Sequence, residues 1–233
     1  MGQQIWTEAE LSEVALSLEG QSPEAALRWA FQHFAQDDIA LACSFGAEDV
    51  ALVHMMTGIR PAARAFYLDT NVLFPETYGL IEQIKAKYDV TLEQYLPLLT
   101  LEQQAAMHGD ALWSREPDSC CGIRKVEPLE RALSGLKAWI TGIRREQSPT
   151  RANARPVEWD RKFGLVKVNP LVAWSEKDLW QYISDHSVPY NSLHDQGYPS
   201  IGCTHCTRAV MPGEDPRSGR WSGFTKTECG LHK

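Results

Sequence analysis

The chain has 233 residues and a formal net charge of −7, long enough to bury one sizeable core. That acidic balance excludes non-specific binding to nucleic acid or to an anionic membrane as a property of the whole protein. No run of about 18 apolar residues occurs, and the start MGQQIWTEAELSEV has neither a basic nor an apolar leader segment, so a soluble chain without an export address, working in the cytoplasm, is expected.

Residues 1–35 read as two amphipathic helices, with Thr7 and Ser22 as N-caps and Pro23 in a first helical turn. They carry no evident chemistry, and the Met-Gly start has Trp6 where myristoylation wants Ser or Thr. Residues 36–186 then alternate between strand and helix. The apolar run 39–44 (IALACS) suits a buried strand and leads through a small-residue turn into the helical 49–58. AFYLD at 65–69 is a second strand, and 75–88 is a helix opened by Pro75. Strands at 89–95, 138–142 and 165–170 follow, with helices at 100–109, 118–133 and 175–186. The helix at 118–133 carries Cys120 and Cys121 and is expected to bend at Pro128.

This alternation predicts an α/β fold, a mostly parallel sheet with helices on both faces and ligands beyond the carboxyl ends of its strands. Residues 187–233 are rich in Gly, Pro, Ser and charge. They read as an irregular C-terminal segment, mobile in part, held by its cysteines and its ligand within one structural domain. The sequence leaves a homo-oligomer open.

Charge is unevenly spread. Residues 115–151 carry an excess of three positive charges and residues 204–233 an excess of two. Those segments hold four of the six cysteines, and Cys203 adjoins the second. Ordinary solvated surface accounts for such charge as readily as a site for a small anion does.

Three strand ends offer polar groups. SFGAED (44–49) follows the first strand and opens a helix, so its amides and the Ser44 hydroxyl suit a phosphate at a helix N-terminus; it lacks the ending of a Walker A loop. YLDTN (67–71) ends the second strand with Asp69 and Thr70. GIRREQSPTR (142–151) leaves a third with Arg144, Arg145 and Arg151. Each alone is ordinary loop composition. Together they favour a nucleotide site, because guanidinium forks suit phosphate and sulfate oxygens.

Six cysteines in a chain without an export signal point to metal binding or catalysis rather than to a disulfide framework. Cys43, inside the first strand, reads as a small buried hydrophobe. Cys120, Cys121, Cys203 and Cys206 supply four thiolates, enough for zinc or for an iron-sulfur cluster. Adjacent helical cysteines diverge by roughly 100°, which strains a single-ion site and favours a cluster. Cys229, in KTECGLH between Lys226 and His232, has no partner at CxxC spacing. It reads as a reactive nucleophile whose reductant comes from outside.

SFGAED, YLDT, CCGIRK, GIRREQS, GCTHC and KTECGLH, in this order from about residue 40 onward, resemble the phosphoadenylyl-sulfate reductase family and, within it, the cluster-bearing assimilatory adenylyl-sulfate reductases. The resemblance implies a fold like that of the adenine-nucleotide alpha hydrolases and reduction of adenosine 5'-phosphosulfate to sulfite and AMP. It makes Cys229 the nucleophile that forms a thiosulfonate, which thioredoxin or a similar dithiol protein resolves. It assigns a [4Fe-4S] cluster to Cys120, Cys121, Cys203 and Cys206, and sulfate-facing roles to Lys125, His232, Arg217 and Arg220. Ser44, Gly46, Asp69, Thr70 and Arg144 correspond to substrate-holding loops.

Two departures stand out: the family's LDTG reads LDTN, with Asn71 in place of glycine, and Cys43 replaces a serine. Rival readings are the same reaction on the 3'-phosphorylated nucleotide, an iron-sulfur tRNA thiolase and a zinc-held adaptor. The last leaves Cys229 and the arginine loop unexplained.

Overall fold

The computed structural model describes residues 6–226 and Gly230. Six strands form one sheet: β1 (Ile39–Ala42), β2 (Ala63–Leu68), β3 (Val90–Tyr95), β4 (Ala138–Ile140), β5 (Val157–Asp160) and β6 (Leu165–Val168), in the order β3-β2-β1-β4-β6-β5. All pairings are parallel except the edge hairpin of β5 with β6. The predicted strands are all present. β5 was not expected from the sequence, because VEWD is short and half polar and takes its partner at the sheet edge.

Successive side chains of a strand point to opposite faces, and the buried residues divide accordingly. Ile39, Leu41, Ala138, Ile140, Val166 and Val168 enter one apolar cluster. It is completed by α1 (Glu8–Leu18), α2 (Pro23–His33), α3 (Ala47–Ile59), α4 (Pro75–Lys87) and α8 (Glu176–Asp185). Ala40, Phe66, Trp139 and Leu165 enter the other, against Leu129, Ala132 and Leu133 of α7 (Glu127–Leu133). Helices cover both faces, unequally. The N-terminal pair belongs to the same core, with Leu11 and Leu27 nearly inaccessible.

Helix starts follow local chemistry. Thr7 with Glu10 and Ser175 with Asp178 form reciprocal capping boxes, as do Thr100 and Gln103 at α5 (Leu101–His108). Ser22 takes the N-cap position but makes no side-chain cap, leaving Pro23 to start α2.

The expected bend at Pro128 is corrected. The helix runs as α6 (Pro117–Cys121), a π turn over Gly122–Val126, and α7. The irregularity precedes the proline, and Glu127 N–H reaches back five residues to the Gly122 carbonyl. Proline cannot donate in a helical ladder, and the wider turn absorbs that break upstream, beside Cys120 and Cys121. No helix among the described residues is long and apolar enough to cross a membrane.

After β2, Asn71 adopts a left-handed φ of 61° and donates its N–H to Asp69 Oδ1 at 2.9 Å. Asn accepts this region more readily than other residues with a Cβ. Asn71→Gly should therefore leave stability within a few tenths of a kcal/mol, whereas Asn71→Val should cost about 1–2 kcal/mol, read from urea unfolding midpoints.

Candidate active site

β1 and β4 are neighbours where the strand order reverses, and such a switch point opens a crevice beyond the carboxyl ends of the strands. A cleft of about 800 Å³ lies there, a size suited to a nucleotide. It brings together Ser44, Gly46, Thr70, Arg144, Arg217 and Arg220, all six foreseen from the sequence.

The loop after β1 differs in detail from the expected phosphate cradle. The Ser44 N–H and hydroxyl both donate to Asp49 Oδ2 at 2.6 Å. The loop thus holds an anion of its own. Phe45 supports the turn with a left-handed φ of 61° and packs edge-on against Tyr67, while the Gly46 carbonyl accepts from Asp49 and Val50 N–H as α3 begins. Burial raises the Asp49 carboxyl to about 6, against the lowering effect of the Ser44 hydrogen bonds. Gly142, just past β4, is required at this point, since a Cβ there would overlap Asp49 Oδ1 and meet Glu48 Cβ at 2.9 Å.

Glu48 ties the first loop to the third. Its Oε1 accepts from Arg144 Nε and from Gln147 Nε2, both at 2.9 Å. Arg144 is 6% exposed and also reaches the Trp174 carbonyl at 3.4 Å. Asp69, by contrast, is engaged in holding the second loop: it accepts from Tyr78 Oη and Gln94 Nε2 at 2.7 Å as well as from Asn71 N–H. Thr70 reaches further and sets its hydroxyl 3.4 Å from Cys203 Sγ.

Cys120, Cys121, Cys203 and Cys206 line one small cavity with Arg124 and Lys125. Long-range backbone pairing assembles them. Leu73 forms an antiparallel bridge with Cys203, and Thr204 N–H donates to the Val72 carbonyl at 2.9 Å, which draws the CxxC turn to the loop after β2. His205 stacks on Trp113 at 4.1 Å, face to face, at the cavity wall.

Burial raises the Cys120 thiol, and the neighbouring Cys121 and Cys203 raise it further. Cys206 is pushed up to about 11, chiefly by burial and by Cys203, against the lowering effect of Lys125. Gln104 Nε2 lies 3.9 Å from Cys120 Sγ. Burial and neighbouring thiols thus disfavour ionisation of Cys120 and Cys206, a cost that a bound metal group would relieve. Among the described residues, no three His, Cys, Asp or Glu side chains are grouped to hold a metal ion.

Lys125 lines both the cysteine cavity and the cleft. Cys229 and His232 lie outside the described residues. Sequence reasoning missed the individual roles of Glu48, Asp49 and Gly142, although all three stand inside quoted motifs. It also missed Trp221, which follows Arg220 and lines both spaces.

The buried Asp49 carboxyl has a pH signature. Its ordinary value of 3.8 rises to about 6 in the fold, so between these limits the folded state holds more protons than the unfolded one. Its contribution to stability therefore falls as pH rises through that window. Asp49→Asn, which cannot titrate, should gain stability relative to wild type as pH rises from about 4 to about 6. Parallel urea-midpoint curves for the two proteins would contradict this environment.

The family model described as the phosphoadenosine phosphosulfate reductase domain matches residues 38–209. A Lysinibacillus sphaericus protein named adenosine 5'-phosphosulfate reductase is 51% identical over 208 residues, covering 89% of each chain. One of the same name from Shouchella clausii is 53% identical over 207 residues, covering 88% of this chain and 86% of its own. The crystal structure of phosphoadenylyl-sulfate reductase from Candida auris, in complex with phosphate, superposes with a TM-score of 0.79 at 32% identity, covering 89% of this chain and all of that one. Candida glabrata FMN adenylyltransferase shares the fold alone, with a TM-score of 0.59 at 15% identity, over 88% of this chain and 67% of that one. With the family match spanning the sheet, the three loops of the cleft after β1, β2 and β4, and both cysteine pairs, the chain belongs to the phosphoadenosine phosphosulfate reductase family.

Proposed function

We propose that this enzyme reduces adenosine 5'-phosphosulfate to sulfite and AMP, using electrons from thioredoxin or a similar dithiol protein. The observation that carries this reading is the junction of two spaces: a nucleotide-sized cleft meets a four-cysteine cavity, with Lys125 on the walls of both. The bacterial relatives named for this activity support the choice of substrate.

In this reading Arg144, Arg217 and Arg220 hold the anionic tail of the nucleotide, with Ser44, Gly46 and Thr70 on the same wall. The Cys229 thiolate attacks the sulfur of the sulfate group. A sulfur–sulfur bond forms, the bond from sulfur to the bridging oxygen breaks, and AMP leaves with that electron pair. Lys125 and His232 offset the negative charge that gathers as a thiolate approaches a sulfate. A thiol of the dithiol protein then attacks Cys229 Sγ and releases sulfite. Its second thiol resolves the mixed disulfide, so the dithiol is oxidised as the sulfate sulfur is reduced.

Cys120, Cys121, Cys203 and Cys206 hold a [4Fe-4S] cluster in this proposal. One tetrahedral ion needs its sulfurs within about 4 Å of each other, from bonds near 2.3 Å, whereas a cluster seats each thiolate on a separate iron. When bound, the cluster supplies cationic iron to the four thiolates and a structural tie between α6 and the C-terminal segment. Thr70 and Gln104, against Cys203 and Cys120, are placed to serve as the surrounding hydrogen-bonding shell.

Purified protein with thioredoxin should release sulfite from adenosine 5'-phosphosulfate and much less from the 3'-phosphorylated nucleotide. Cys229→Ser should bind the substrate and release none; a fully active Cys229→Ser, or release from neither nucleotide by wild type, would overturn the reading. Anaerobically purified protein should contain about four irons per chain, and Cys203→Ser should lose them. Stoichiometric zinc without iron would end the cluster assignment.

A further inference from the structure

Trp221 is buried to 3% exposure yet adopts a left-handed φ of 46°, a conformation that a bulky side chain holds only when its surroundings dictate it. Those surroundings are specific. Its N–H donates to the Cys206 carbonyl at 3.1 Å, and its carbonyl accepts from Phe224 N–H at 3.0 Å. Two cations lie over its ring, Arg220 Cζ at 4.5 Å and Lys226 Nζ at 5.3 Å from the centroid. Its Nε1 is buried without a hydrogen-bond partner among the described residues. The side chain lines both the cleft and the cysteine cavity.

Arg144 and Arg220, both on the cleft wall, are held differently. Arg144 is ion-paired with Glu48, which offsets its charge. Arg220 rests on the Trp221 ring and donates to the neutral Ser200 Oγ and Ile201 carbonyl at 3.2 and 3.3 Å. An aromatic face holds a cation by its quadrupole and leaves the full charge in place. Gly202 completes the seat, because a Cβ there would overlap the Arg220 guanidinium. Lys226, on the same ring, pairs with Asp118 of the cysteine-bearing α6, and so fixes the indole against that helix.

We propose that Trp221 is a positioning residue for the reaction: its ring holds Arg220 in the cleft, without a carboxylate partner among the described residues, available to the sulfate end of the substrate. The inference rests on the function proposed above. Trp221→Leu should raise KM for adenosine 5'-phosphosulfate about tenfold with a smaller change in kcat, since it weakens binding of an anion through a displaced guanidinium. Trp221→Phe, which keeps an aromatic face, should restore KM to within about threefold of wild type. Combined with Arg220→Ala, Trp221→Leu should add almost nothing, because the two residues act as one unit.

Gly202→Ala, which pushes the guanidinium from its seat and leaves the indole intact, should reproduce the rise in KM and provides the test if the leucine variant does not fold. Additive effects, a phenylalanine variant as impaired as leucine, or an unchanged KM in Gly202→Ala would each overturn the proposal. Failure of wild type to use adenosine 5'-phosphosulfate would instead overturn the function on which it rests.

Discussion

The antiparallel contact between residues 72–73 and 203–204 is the constraint on which the site depends. It is made by a few backbone groups, yet it joins the end of the second parallel strand to a segment with little regular structure of its own. Through it Cys203 and Cys206 reach the cavity of Cys120 and Cys121, and Thr70 reaches Cys203. The residues that follow, folding back through the Thr207–Arg220 bridge, bring Arg220 and Trp221 to the cleft wall. A sheet edge and an irregular segment thereby build two adjoining spaces from parts distant in sequence.

Electrostatics within the cleft show how an acidic protein can present cations to an anionic ligand. Glu48 is not a competitor for the arginine loop but its anchor, since one carboxylate oxygen fixes both Arg144 and Gln147. Asp49 closes the first loop on the Ser44 amide and hydroxyl and, being buried, ionises less readily than an exposed carboxylate. Arg220 is held by an aromatic face and neutral oxygens. Negative groups therefore shape the loops at one side, while Arg220, with no carboxylate partner among the described residues, stands on the other.

Much of this was legible in the amino-acid order. Apolar runs of strand length located five of the six strands, and the loops after β1, β2 and β4 were recognised by their polar endings because strand and helix periods set where they fall. The cysteine quartet was legible from residue type and spacing. What escaped depended on partners fixed by the tertiary fold. The β5 strand exists through its pairing with β6, and the π turn displaced the bend from Pro128 to the residues beside the cysteine pair. Asp69 was expected at a strand end as a ligand contact; the tertiary fold also gives it three donors, Asn71 in its own loop, Tyr78 of α4 and Gln94 of β3. Trp221 carried no periodic or motif signal; its place became evident only from the two cations on its ring and the two spaces on either side.

The face-to-face stack of Trp113 on His205 has an optical consequence. If the thiols hold the proposed cluster, an indole fixed at the rim of their cavity would lie within energy-transfer range of that chromophore. Its fluorescence would then dim on loading and brighten on loss, a label-free gauge of occupancy.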